Sequence, residues 1–374
     1  MRYSLPDTSG VPSRRTHPAS VATPAVAWQP ANHWRPRSAW ARFALGVALL
    51  APIGLSAADY QTWITGNPDD ARPAATRPGL FLSGGGGDVA AAWRWFVSCA
   101  GGGDIVVLRA SGGDGYQDYV FREIGGVDSV QTIVFNQPAA ARDPQVLAAL
   151  AAADGIFMAG GDQAKYITFW RGTPVMDALN AHLRAGKPLG GTSAGLAVMG
   201  GHYFSALKDT ITSEAALRDP FDERVTLGQD FIAAPGLARV ITDSHFMARA
   251  RLGRLITFLA RIETSGVSEK FDSARPARPQ ILGLGIDEAT AACVEPDGSV
   301  QIHSEKKGLA WMVVPSQLPE KLVRGQPLAV RGVDVIGLGP ETRFNLLTLT
   351  VDRPAALRRV RAESGRLVED PSRP

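Results

Sequence analysis

The sequence predicts an α/β fold with a mostly parallel sheet and a β-rich C-terminal extension. Three observations carry that prediction. Between residues 79 and 192, short apolar runs alternate with helical stretches, as in successive βαβ units. Glycine-rich segments at 84–87, 160–161 and 190–191 each follow a predicted strand. After about residue 275 the pattern changes to short β runs separated by turn residues.

Residues 1–42, rich in Pro, Ser, Ala and Arg, are predicted to be disordered. The run from Phe43 to Ala58 is uncharged, follows Arg42 and is short for a bilayer span. With Ser56-Ala57-Ala58 at its end it reads as a secretory signal, its long leader matching a start codon assigned upstream of the true one. The expected segments are a leader and signal at 1–58, an α/β hydrolase domain at 59–300 and a β-rich extension with tail at 301–374. The expected location is periplasmic or secreted, with no membrane association after processing.

Within the domain, GLFLS (79–83) is a strand, then a four-glycine loop, then an amphipathic helix from Asp88. Strands follow at 104–110 and 130–136, and a helix over DPQVLAALAAA. GIFMAGGDQ (155–163) runs from strand into a tight loop, and TPVMDALNAHLRAG (173–186) is a helix with Pro174 near its start and Gly186 as its stop. KPLGGTSAG is strand and turn. In such sheets ligands bind at the carboxyl ends of the strands, so the three glycine loops should share one edge. PQILGLGIDEATAACVEPDGSVQIHS reads as hairpins, GLAWMVV, PLAVRGVDVIGL and FNLLTLTVD continue in β style, and the charged tail from Arg353 reads as frayed.

The formal charge of +3 and the absence of a basic helix face argue against a nucleic-acid partner. Two cysteines, Cys99 and Cys293, could pair after export but make no disulfide framework. No CxxC, HExxH or clustered Cys/His spacing occurs, so neither a metal nor a cofactor is expected.

Gly191-Thr192-Ser193-Ala194-Gly195 is a G-x-S-x-G turn, in which a serine sits on a sharp strand-to-helix bend and the N–H that follows it faces a developing oxyanion. Ser193 needs a base. Of six histidines, His17 and His33 lie in the leader, His182 on a helix at an expected surface position, His303 in the late β region and His202 at the far end of the nucleophile helix. His245 ends the strand ARVITDSHF and is the candidate base. Asp209, Glu214, Glu223, Asp243, Asp287 and Glu288 are open candidates for the orienting carboxylate. In AGGDQ (159–163), Gly161 could supply a second oxyanion N–H beside Ala194, Gln163 could bind a substrate amide or carboxylate, and Asp162 could bind substrate or cap a helix.

GGTSAG, with GGDQ before it and DSHF then RARLGRL after it, resembles the cyanophycinase branch of the serine peptidases related to peptidase E. GIDEATA (285–291) resembles that family too, and the similarity runs from about Gly79 to about Glu295. The resemblance implies a three-layer flavodoxin-like sandwich of the class I glutamine amidotransferase type. It implies an exopeptidase that cuts cyanophycin, an aspartate polymer bearing arginine on each side chain, into β-aspartyl-arginine, and it implies a homodimer. By motif, Ser193 is the nucleophile, His245 the base, Glu288 the triad acid with Glu214 as runner-up, and Gly161 and Ala194 the oxyanion donors. Gln163, Arg249 and Arg251 match positions near the substrate cleft. Ser244 stands where the family carries a substrate-facing glutamine, and the spans from Ser193 to His245 and from His245 to Glu288 are longer than the family's.

Three other readings compete. Gly85-x-Gly87-x-x-Ala90 fits a dinucleotide fingerprint but leaves the Ser193 elbow unexplained. A relative without activity would keep the elbow for packing alone and bind a peptide. A peptidase for short aspartyl or isoaspartyl peptides would keep the chemistry and change the substrate.

Overall fold

The computed structural model describes residues 58–69, 75–265 and 281–370. The leader and nearly all of the signal reading, the loop SEKFDSARPARPQ and the last four residues lie outside them.

The strands form two sheets where the sequence pattern suggested one. The first has ten strands, in the spatial order Tyr60–Gly66, Ser129–Phe135, Asp104–Arg109, Gly155–Met158, Leu189–Thr192, Leu80–Ser83, Thr290–Val294, Ser299–Ser304, Arg343–Asn345 and Thr350–Asp352. The five from Ser129–Phe135 to Leu80–Ser83 are mutually parallel, and every other pairing in this sheet is antiparallel. The second sheet has eight strands and is mostly antiparallel; in it Val240–Asp243 runs parallel to both its neighbours, His202–Phe204 and Leu282–Ile286. A mostly parallel sheet is therefore confined to the βαβ centre, where helical crossovers force parallel pairing. Tyr60–Gly66 is an edge strand that the periodicity does not announce.

Alternation along the strands builds the layers. Ile105 and Val107 point into a core with Trp93 and Phe96 of the helix Ala90–Cys99. Val106 and Leu108 point the other way, into a core shared with Leu282, Leu284, Ala310 and Met312 of the second sheet. The second sheet's outer face is covered by the helix Leu252–Ser265. Counted from Leu80, the parallel strands lie in the order 3-2-4-5-1, not the flavodoxin order 2-1-3-4-5. The last four follow the flavodoxin pattern, and the first strand fills the place of its fifth.

Three further expectations are corrected. The boundary at residue 300 falls inside the strand Ser299–Ser304, and the C-terminal strands extend both sheets, so they are not a separate extension. Leu282–Ile286 and Thr290–Val294 are not a hairpin: each finds its partners in a different sheet, and Asp287–Ala289 carries the chain across. The segment after Arg353 is not frayed, because Ala356–Glu363 and Arg366–Glu369 pair at the edge of the second sheet. No helix among the described residues is long and apolar enough to cross a membrane.

Candidate active site

Ser193 follows the strand Leu189–Thr192 and opens the single-turn helix Ala194–Ala197. Its backbone sits at φ 52° and ψ −110°, a region that costs a non-glycine residue about 1–3 kcal/mol and is typical of active sites. The bend is possible because Gly195 packs directly on the strand ahead: a Cβ there would lie 2.0 Å from the Met158 carbonyl oxygen. One turn of helix is too short to add much macrodipole behind Ser193.

The strand Val240–Asp243 delivers His245, which is buried and held at φ 44°. Its N–H donates to the Gly84 carbonyl at 2.8 Å. The imidazole Nε2 lies 2.8 Å from Ser193 Oγ, and Nδ1 lies 2.7 Å from Glu288 Oε1. Burial pulls the imidazole pKa below its ordinary 6.5, Arg249 and Arg251 add to the effect, and the Glu288 hydrogen bond opposes it. Glu288 in turn is held below its ordinary range, chiefly by that bond. A neutral imidazole, oriented by a carboxylate and touching a hydroxyl, can take a proton from that hydroxyl.

The four-glycine loop packs against these side chains. A Cβ on Gly85 would lie 2.7 Å from the His245 ring and 3.0 Å from Ser193 Cβ, and one on Gly86 would lie 2.6 Å from the Glu288 side chain. Gly85 also accepts from Ala289 N–H at 2.7 Å. The dinucleotide reading fails here, because the space against the loop is filled by His245 and Glu288.

A cleft of about 590 Å³ opens beside this group, bounded by residues 161–164, 206–207 and 209–212, and by Arg249, Arg251 and Arg254. Gly161 stands at its wall, next to Gly160, where a Cβ would lie 3.3 Å from Ser193 Cβ. Gln163, Arg249 and Arg251 line it. Asp162 also lines it, and its carboxylate caps the helix Gln163–Trp170 by accepting from Ala164 N–H at 2.9 Å. Ser244 departs from its expected place: it is 2% exposed, and its Oγ accepts from Arg251 Nη1 at 3.2 Å, so it supports Arg251 and is shielded from the cleft.

Three of the other acid candidates are engaged elsewhere. Asp243 takes two bonds from Arg254, at 2.6 and 2.8 Å, and one from Arg251 at 3.2 Å, a buried fork that sequence reasoning missed. Its signal was the spacing of Arg251 and Arg254, three apart and so on one helix face. Asp287 accepts from the backbone of Met247 and Leu309 and from the Trp311 indole, each at 3.0 Å. Glu214 pairs with Arg218 on an exposed helix. His182, expected at the surface, is buried and bonds the Pro188 carbonyl at 3.0 Å. Cys99 and Cys293 are buried free thiols. No group of three metal-ligating side chains gathers among the described residues.

A serine on an elbow, an imidazole and a carboxylate joined in this order on an α/β scaffold form the constellation of a serine hydrolase. The model of peptidase family S51 matches residues 118–217, which include Ser193. A cyanophycinase of Trichormus variabilis is 32% identical over 237 residues, 62% of this chain and 70% of that protein. One of Synechococcus elongatus is 36% identical over 188 residues, 50% of each. A crystal structure of a peptidase from an acI-B1 Actinobacterium aligns with a TM-score of 0.47 at 14% identity, covering 72% of this chain and 97% of that one. The chain belongs to the cyanophycinase and peptidase E-like family, and it is a serine-type peptidase.

Proposed function

We propose that the chain is a cyanophycin-degrading exopeptidase that releases β-aspartyl-arginine with Ser193, His245 and Glu288 as its triad. The observation that carries the reading is the unbroken hydrogen-bond chain from Ser193 Oγ through His245 to Glu288. Its cyanophycinase relatives supply the substrate class. Ser193 attacks the scissile carbonyl as His245 Nε2 takes its proton. The Gly161 and Ala194 N–H groups hold the oxyanion. His245 returns the proton to the leaving amine, and water then clears the acyl-enzyme by the same route. Gln163, Arg249 and Arg251 face the substrate, Arg249 and Arg251 suiting its carboxylates.

We further infer that the run Phe43 to Ala58 directs export and is removed; the first described strand begins two residues later, at Tyr60. N-terminal sequencing of the exported protein checks this.

The central test is soluble β-aspartyl-arginine release from purified cyanophycin by wild type and by Ser193→Ala. Release by wild type alone supports substrate and nucleophile together. Activity on short isoaspartyl peptides but none on the polymer would overturn the substrate and keep the chemistry.

A further inference from the structure

The charges around the cleft do not cancel completely. Arg251 and Arg254 are both bonded to Asp243, and Asp162 is committed to its helix cap. Among the described residues of the cleft wall, Arg249, Asp209 and Asp162 lack an ion-pair partner, and of the two carboxylates only Asp209 is clear of a helix N-terminus. Arg224 lies close enough to sense Asp209, but it is forked onto Asp222 by bonds of 2.9 and 2.7 Å.

Asp209 is also held in an unusual way. Its backbone φ is +90°, and Ala206, three residues earlier, is at +52°. Non-glycine residues persist in such conformations only when their surroundings hold them there. Here Leu207 N–H donates to Thr226 Oγ1 at 3.1 Å and Asp209 N–H to the Ala206 carbonyl at 3.0 Å. Arg254 Nη1 reaches Thr210 Oγ1 at 3.3 Å. Arg254 is itself clamped by Asp243, two residues before His245. The loop that carries Asp209 is thus braced from the strand that delivers the base. Its Oδ1 accepts from Thr210 N–H at 2.6 Å, and among the described residues none donates to Oδ2.

We propose that Asp209 determines specificity by binding the cationic side-chain group of the substrate, a guanidinium. The inference rests on the peptidase reading of this cleft. A substrate carrying both a carboxylate and a guanidinium needs one fixed charge of each sign, and Arg249 with Asp209 supplies that pair. A carboxylate on a braced loop, with a free oxygen, suits the planar donor fork of a guanidinium and has little to offer a neutral urea of the same shape.

Calorimetry tests this on the full chain carrying Ser193→Ala, so that nothing is hydrolysed. The probes are β-aspartyl-arginine and β-aspartyl-citrulline, which differ in charge and scarcely in shape. The arginine ligand is expected to bind about tenfold tighter or more, the scale of one charge-assisted hydrogen bond. Adding Asp209→Asn should bring the two ligands within about twofold of each other, with an unchanged unfolding midpoint. A preference that survives Asp209→Asn overturns the proposal, as does no preference, or no binding, in the parent. Polymer turnover by wild type is read separately. An Asp209-dependent preference without turnover of cyanophycin keeps the guanidinium site and removes the polymer.

Discussion

His245 and Glu288 meet at 2.7 Å although the strands that precede them are neighbours in the second sheet and Glu288 already stands on the way to the first. The contact gives the base a defined electrostatic setting. Burial and the two arginines favour the neutral imidazole, and Glu288 favours the charged one.

The pH profile should follow from that balance. The acid limb of kcat/KM should have its midpoint below 6.5, because the base works only when neutral and its pKa is lowered. Glu288→Gln removes the group that raises the pKa, so the limb should move to lower pH while the plateau falls roughly a thousandfold or more. Arg249→Ala removes a group that lowers it, so the limb should move up. Profiles that shift together would contradict this.

Gly85→Ala should disable the site while leaving the fold. The new methyl would meet the His245 ring and Ser193 Cβ, and φ at this position is +82°. Displacing the base by an ångström costs about a hundredfold in kcat/KM. The strained backbone should cost about 1–3 kcal/mol of stability, read from denaturant unfolding.

Asp287→Asn should weaken both stability and turnover. The carboxylate collects three donors at the crossing between the sheets, next to Glu288. An amide group would turn an N–H toward one of these donors, at a cost of about 2–3 kcal/mol. The cheaper orientation keeps the amide oxygen on Leu309 and the Trp311 indole and sets the NH2 against Met247 N–H, so the unfolding midpoint should fall while the folded-state Trp311 fluorescence is kept.

His182 should contribute to acid lability. Burial pushes its pKa down to about 4, against an ordinary 6.5 when unfolded. Above 6.5 both states are neutral and nothing is lost. As the pH falls from 6.5 to 4 the unfolded chain binds a proton that the folded one refuses, and roughly 3 kcal/mol disappears. His182→Gln should flatten stability over that window in denaturant titrations at stepped pH.

The parallel centre was legible because Ile105 to Leu108 and Leu80 to Leu82 alternate between two cores, and helical runs separate the strands. Ser193 and His245 were legible because a glycine-flanked bend and a strand end leave local marks. Glu288 was not: spacing left six carboxylates open, and only the likeness of GIDEATA to a known family chose among them. The second sheet was hidden because a strand pattern does not name its partner. A crossing at Asp287–Ala289 looks like a hairpin until pairing is known. His182 could have been placed correctly, since Val175, Leu179 and His182 fall on one helix face.

Ser193 belongs to the end of one sheet and His245 to the end of the other. Neither half holds nucleophile and base together. Nucleophile and base therefore come together only when both sheets stand on the core they share. Recovery of activity after dilution from denaturant would accordingly time the assembly of both sheets on that common core.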